Sequence, residues 1–205
     1  MIARLFLVKS LVILLFFFSS FPANAQIKGD FELVGKMPAP HSLSVVQVEE
    51  FLNFTCPHCN NFRNLSKDLF KKYGKRIKHI NNPVLFPRQN DLAIRLFYVG
   101  QKAGKETEVK EMIFDSTFIY GVNIYDPATV DFMARSAGLG DSYRTQGGEN
   151  WITEKISETE MRAKEATVSA TPTLVLAGAL KLTPKVGMEE FVGNLDSILE
   201  QLLKK

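Results

Sequence analysis

Residues 45–59 read VVQVEEFLNFTCPHC, Val45 through Cys59. Along Val45 to Phe54 the side chains alternate between two faces of an extended strand. Val46, Val48, Glu50, Leu52 and Phe54 fall on one face, and Val45, Gln47, Glu49, Phe51 and Asn53 on the other. Glu50 is the single charged member of an otherwise apolar face. Thr55-Cys56-Pro57-His58-Cys59 then leads into a helical pattern, with Phe62, Leu65, Leu69 and Phe70 on one side, that ends near Tyr73-Gly74.

A Cys-x-x-Cys pair that opens a helix brings two sulfurs within disulfide reach. It also aims the first sulfur at the free N–H groups of the helix's first turn, which stabilise a thiolate. The pKa of Cys56 is therefore expected below the free value of about 8.5. Pro57 at the helix start forgoes an N–H that would have no intrahelical partner. His58 adds a donor, or a positive charge when protonated. A dithiol stabilised in this way has a correspondingly oxidising disulfide, so the motif reads as a redox pair. Other readings fit less well. A purely structural bridge across so short a loop gains little. A metal site lacks a second Cys-x-x-Cys, and His41 and His79 have no ligand-like spacing. Haem attachment needs a histidine directly after Cys59, where the chain has Asn60.

Two further signals lie outside the motif. Glu50, six residues before Cys56, is placed to lie beneath the redox pair. There desolvation would raise its pKa and let it exchange protons with a sulfur. The compatible alternative is a buried carboxylate paired with Lys78 on the next strand. Thr171-Pro172 stands between a helical block and an apolar strand; the plain reading is a proline that starts an edge strand.

Outward from this centre, Ile77 to Asn82 reads as a second strand ended by Pro83. Helical blocks follow at Leu92–Val99, Val109–Phe118, Ala128–Ala137 and Trp151–Ala166, punctuated by Gly and Pro, with Asp126-Pro127 as a cap and first turn. Thr173–Leu176 and Leu180–Thr183 form a β pair, and Gly187–Leu203 a last helix. Upstream, Gln26–Ser42 is a lead-in holding at most a short edge strand at Phe31–Val34. At the start, Arg4 and Lys9 flank the apolar run Leu11–Phe18, and Ala23-Asn24-Ala25 follows. This is the pattern of a signal peptide cleaved after Ala25, since a spanning helix needs about 20 apolar residues. Residues 26–205 are then one exported domain, in a compartment where disulfides are permitted.

Composition closes off other classes. The chain has 205 residues, 45% hydrophobic and 23% charged, which describes a globular protein rather than a disordered or fibrous one. A net charge of +3 without a basic block gives no support to nucleic-acid binding. With only two cysteines, a disulfide framework is excluded.

Glu50-Phe51 through Cys56-Pro57-His58-Cys59, followed by Phe62, resembles the active-site strand and helix of the DsbA thiol oxidoreductases. The resemblance covers essentially all of residues 26–205, including Ser169-Ala170-Thr171-Pro172-Thr173 as a cis-proline loop. It implies an α/β chain: a thioredoxin fold with an inserted helical subdomain at about 86–166. By resemblance Cys56 attacks, Cys59 resolves the mixed disulfide, and Pro57 and His58 tune the pair. Thr171 and Pro172 line the substrate groove, and Glu50 is the buried acid with Lys78 as its partner. Thr171 stands where the best-known members have Val and resembles other branches, including some isomerases and reductases. The resemblance implies no cofactor and a periplasmic monomer that oxidises newly exported proteins. It also implies a DsbB-like membrane reoxidant. The alternatives are an isomerase or reductase kept reduced by a DsbD-like partner, and a protein that holds partners or a soft metal in its groove.

Overall fold

The computed structural model describes residues 26–205. The expected signal segment, residues 1–25, lies outside the described residues. In chain order the strands are β1 (Glu32–Leu33), β2 (Val46–Leu52), β3 (Ile77–Pro83), β4 (Thr173–Leu176) and β5 (Leu180–Leu182). The helices are α1 (Pro57–Leu65), α2 (Lys67–Tyr73), α3 (Leu92–Lys102), α4 (Glu106–Phe118), α5 (Pro127–Ser136), α6 (Gly140–Gln146), α7 (Asn150–Glu165) and α8 (Met188–Leu202). Among the described residues no helix is long and apolar enough to cross a membrane.

The strands form one sheet in the order β1-β5-β4-β2-β3. β2 and β3 run parallel, joined by α1 and α2, while β4 and β5 pair antiparallel to their neighbours. Period-two alternation along β2 decides what each face meets. Val46 and Val48 pack with Leu174 and Leu176 against α1 and α8, where Phe62 meets Phe191 edge-on at 5.7 Å. Phe51 and Val175 lie on the opposite face, against Ala163 and Ala166 at the end of α7. The sheet is thus covered on both sides.

Five helices, α3 to α7, lie between β3 and β4. Their core is built on Leu96, Phe97, Ile113, Phe114 and Ile152, and it continues into Leu52, Phe54, Cys56 and Cys59. Phe54 sits 5.2 Å edge-on from Phe114 and 5.9 Å from Phe97, so the strand end that leads into the cysteines is gripped by the helical block. Gly100 lets α3 and α4 close together, since a Cβ there would meet Val109 Cγ2 at 2.5 Å. As Asp126-Pro127 predicts, Asp126 caps α5, accepting from the Thr129 N–H at 2.9 Å.

Two local features differ from the sequence reading. The helix expected from Pro57 to Tyr73 breaks at Ser66, whose hydroxyl donates to the Phe62 carbonyl at 2.6 Å. Such back-bonding competes with the helix ladder and bends it. The seven-residue helix α6 gave no periodic signal, because so short a segment shows fewer than two full turns of pattern.

Candidate active site

Cys56 takes the N-cap position of α1 with Pro57 at its first helical position. Its N–H donates to the Asn53 carbonyl at 3.0 Å, which ends the strand and turns the chain. Both cysteines are free thiols; Cys56 keeps 7% of its surface and Cys59 none. The N-cap sulfur is therefore less open than its position alone suggests. The Cys59 thiol hydrogen-bonds to Cys56 and is the main cause of an acidic Cys56, with pKa about 5 against an ordinary 9.0. Burial opposes this. Thr171 and the N–H groups of Cys59 and His58 add to the downward pull. Burial drives Cys59 strongly the other way, helped by its bond to Cys56. The Asn53 N–H points at Cys59 Sγ from 3.5 Å. One sulfur thus carries the charge and the other keeps its proton.

The Thr171–Pro172 peptide bond is cis. Cys56 Sγ lies 3.2 Å from the Thr171 carbonyl, to which its thiol form donates, so this loop faces the reactive sulfur. The Thr171 hydroxyl is buried with no hydrogen-bond partner of regular geometry, and it adds to the downward pull on Cys56. His58, Asn61, Thr171, Lys185 and Val186 wall a groove of about 660 Å³ next to this loop. Pro57 and His58 are exposed at its edge.

Glu50 is 2% exposed, and its carboxylate lies 2.7 Å from His79 Nε2. The expected partner, Lys78, is corrected by the sheet register. In the parallel β2–β3 pair, Lys78 stands opposite Gln47, whereas His79 and Asn81 stand opposite Val48 and Glu50. His79 and Asn81 therefore share the face of Glu50, and Lys78 is turned out to solvent. The direction of the Glu50 pKa is corrected as well. Burial pushes it up, but the charge of buried Lys110 and the bond and charge of His79 together outweigh burial, and the net shift is downward. Lys110 itself donates to Asn81 at 2.9 Å, and the His79 ring stacks on Phe70 at 4.3 Å. The carboxylate faces this cluster, in a side cavity between α1–α2, β3 and α4.

A family model described as Thioredoxin matches residues 33–196. The chain belongs to the thioredoxin family. It is 26% identical over 166 residues to the thiol:disulfide interchange protein DsbA of Burkholderia cepacia, covering 80% of this chain and 78% of that one. In fold it is similar to the DsbA of Pseudomonas aeruginosa, with TM-score 0.70 at 19% identity over 84% of this chain and 91% of that one. It is also similar to the oxidoreductase DsbA of Xylella fastidiosa, with TM-score 0.71 at 20% identity over 83% and 93%. Within the thioredoxin family the chain is a DsbA-type thiol:disulfide oxidoreductase, an enzyme of thiol–disulfide exchange.

Several residues of this thioredoxin-family site were not singled out from the sequence. Asn53, Thr55, Gln89 and Tyr125 form one polar cluster behind Cys56. Thr55 Oγ1 donates to Asn53 Oδ1 at 2.7 Å, accepts from Gln89 Nε2 at 2.9 Å and meets the Tyr125 hydroxyl at 3.2 Å. Asn53 Nδ2 reaches the Val84 carbonyl and Gln89 Oε1 at 2.8 and 2.7 Å. Arg162 on α7 clasps Glu49 through two bonds of 2.8 and 3.0 Å. Gln89, Tyr125 and Arg162 are remote in sequence from Asn53, Thr55 and Glu49, and no spacing marks them. Only the buried polar residue Asn53, next to Phe54 at the strand end, offered a local hint.

Proposed function

We propose that the protein is an exported oxidase that introduces disulfides into client proteins in the periplasm. The reading rests on one observation: Cys56 caps the N-terminus of α1 with buried Cys59 one turn on, a geometry that holds Cys56 acidic, with pKa about 5, while Cys59 keeps its proton. This stabilises the reduced enzyme and makes its disulfide a strong oxidant. A client thiolate attacks Cys56 Sγ, the Cys56–Cys59 bond breaks, and the departing Cys59 sulfur takes a proton. The client's second thiolate then attacks its own sulfur in the mixed disulfide. Cys56 leaves as a stabilised thiolate, and two electrons have moved from client to enzyme. Groove residues around Pro172 hold the client chain during both steps. Export is supported by the signal pattern of Met1 to Ala25. With no third cysteine in the chain, the reduced pair returns its electrons to an outside oxidant, of the DsbB type by resemblance. The test is the equilibrium of the Cys56–Cys59 pair against a glutathione redox series. A potential far more oxidising than thioredoxin's, about −270 mV, is expected; a value near that one would assign the protein to reduction or isomerisation.

A further inference from the structure

The helical insertion carries an apolar surface that the exchange chemistry does not use. α4 ends at Phe118, and the chain runs through Ile119, Tyr120 and Val122 before Asp126 caps α5. Ile119, Tyr120 and Phe132 are 66, 74 and 64% exposed. Tyr120, Val122 and Phe132, with Met112 and Met133 beneath them, line a trough of about 640 Å³ between α4 and α5. The one ionic group in its lining, Asp126, is already engaged with the N–H and hydroxyl of Thr129 at 2.9 and 3.0 Å. Contiguous exposed apolar side chains of this kind mark an interaction site. Without a free charge in its lining, the trough suits a neutral, apolar occupant.

The position of the trough names the occupant. Tyr125, three residues beyond Val122, holds Thr55 at 3.2 Å, and Thr55 adjoins Cys56. Asn90 Nδ2 ties the Tyr125 carbonyl to the neighbouring loop at 2.8 Å. Tyr125 adjoins Asp126 of the trough lining, so one hydrogen-bonded loop cluster links the residue before Cys56 to the edge of the trough. At about 3.3–3.6 Å per residue, an extended chain bonded to Cys56 reaches the trough within on the order of ten residues. Cysteine is among the most buried residue types, and in a folded protein it packs with other apolar side chains. A client that has not yet folded exposes those apolar residues together with its thiol. Methionines at the floor adapt to differing side chains, as recognition of many sequences requires.

We propose that the α4–α5 trough docks an apolar segment of a non-native client chain whose cysteine lies at Cys56. This rests on the reading of the clients as unfolded proteins. The test compares wild type with Phe132→Ser and Tyr120→Ser, exposed positions at which folding is checked by thermal melting. The first readout needs no redox chemistry: binding of S-carboxymethylated, unfolded lysozyme to each form. The second is the rate of exchange with reduced unfolded lysozyme and with dithiothreitol. Binding of the alkylated chain is expected to weaken at least fivefold in both variants. KM for reduced lysozyme should rise by a similar factor, with the dithiothreitol rate unchanged. Unchanged binding and KM would overturn the proposal. Equal loss with lysozyme and dithiothreitol would overturn it too, by showing a disturbed sulfur rather than a lost docking surface. So would a concentration-dependent dimer, seen by sedimentation in wild type and lost in Phe132→Ser, because a second copy would then cover the trough. Wild type that binds the alkylated chain but proves a reductant against glutathione would leave the docking intact and overturn only the oxidase reading.

Discussion

The two sides of Cys56 are built differently. On the sheet side, backbone does the positioning: the α1 N-terminus, the Asn53 N–H and the Thr171 carbonyl all converge on the two sulfurs. The groove there is edged by polar and charged side chains, among them Asn61, Lys185 and Glu189. On the insertion side, side chains make the surface, and the trough floor is methionine. Chemistry at a sulfur requires groups fixed within a fraction of an ångström, which a hydrogen-bonded sheet and helix end provide. Holding chains of varied sequence requires adaptable apolar contacts. The molecule separates the two tasks and joins them through the Asn53–Thr55–Gln89–Tyr125 cluster.

If the sheet side sets the chemistry, its largest effect is on the stability of the two redox forms. Cys56 has a pKa of about 5 when folded and an ordinary value of 9.0. Because the folded value is depressed, the thiolate contributes stability that is complete above the ordinary value and lost as pH falls to the folded one. At pH 7 the contribution is at most about 3 kcal/mol, and solvent on the groove side of Cys56 screens part of it. The reduced protein is therefore expected to unfold at higher urea than the oxidised one at pH 7. The gap should shrink by up to about 1.4 kcal/mol per pH unit on acidification, until Cys56 is protonated near pH 4 and the thiolate contributes nothing. A more stable oxidised form at pH 7 would remove the sheet side's claim to the chemistry.

The tie between the two sides comes next. The Glu49 side chain is 7% exposed and holds Arg162 of α7, itself 32% exposed. Arg162→Ala leaves a buried carboxylate with only the Gln47 amide, at 3.2 Å, as partner and should cost about 2–3 kcal/mol, below the full range for buried pairs because Arg162 meets solvent. Adding Glu49→Gln should restore part of that loss, since an amide is cheaper to bury than an unpaired charge. Urea unfolding of the single and double variants measures this; an unchanged midpoint in Arg162→Ala would mean that packing alone joins α7 to the sheet.

Within β3, alternation puts two neighbours to opposite use. His79→Ala should cost about 1.5–2 kcal/mol at neutral pH, as a hydrogen bond to a buried carboxylate is lost. It should also move acid unfolding to higher pH, because the Glu50 carboxyl, held low partly by His79, rises without it. Lys78→Ala, on the solvent face, should stay within about 0.5 kcal/mol. Equal effects from the two variants would contradict the register of β2 and β3.

Thr171→Val gives the smallest effect. Its carbonyl stays in place, so only the pull of the hydroxyl is lost, and the Cys56 pKa should rise by at most about one unit. Thiolate absorbance followed against pH measures the change, and a titration identical to wild type would make the hydroxyl a space-filler.

The alternation of β2, the opening of α1 at Pro57 and the Asp126 cap are local patterns legible in the chain, whereas the break at Ser66 and the short helix α6 were not. The redox pair was legible too, because Cys56 and Cys59 lie one helical turn apart. The partner of Glu50 was not legible. Lys78 and His79 are adjacent in sequence, and only the register of β3 against β2 decides which of them turns inward. Nor could local pattern predict that burial, which raises the Glu50 pKa by itself, is outweighed by Lys110 from α4 together with His79.

By itself the sequence determined that this is an α/β chain with one cysteine pair, spaced for redox exchange, at a strand–helix junction. Each of these is carried by residues close along the chain, where backbone geometry links spacing directly to position. Tertiary structure alone decided that Thr171 meets Cys56 through its carbonyl and that His79 holds Glu50. It alone decided that Arg162 fastens the insertion to the sheet, and that an apolar trough opens beside Thr55 and Tyr125. Those contacts join residues between 29 and 115 positions apart. At such separations spacing carries no geometric information, and packing against the whole fold selects the partner.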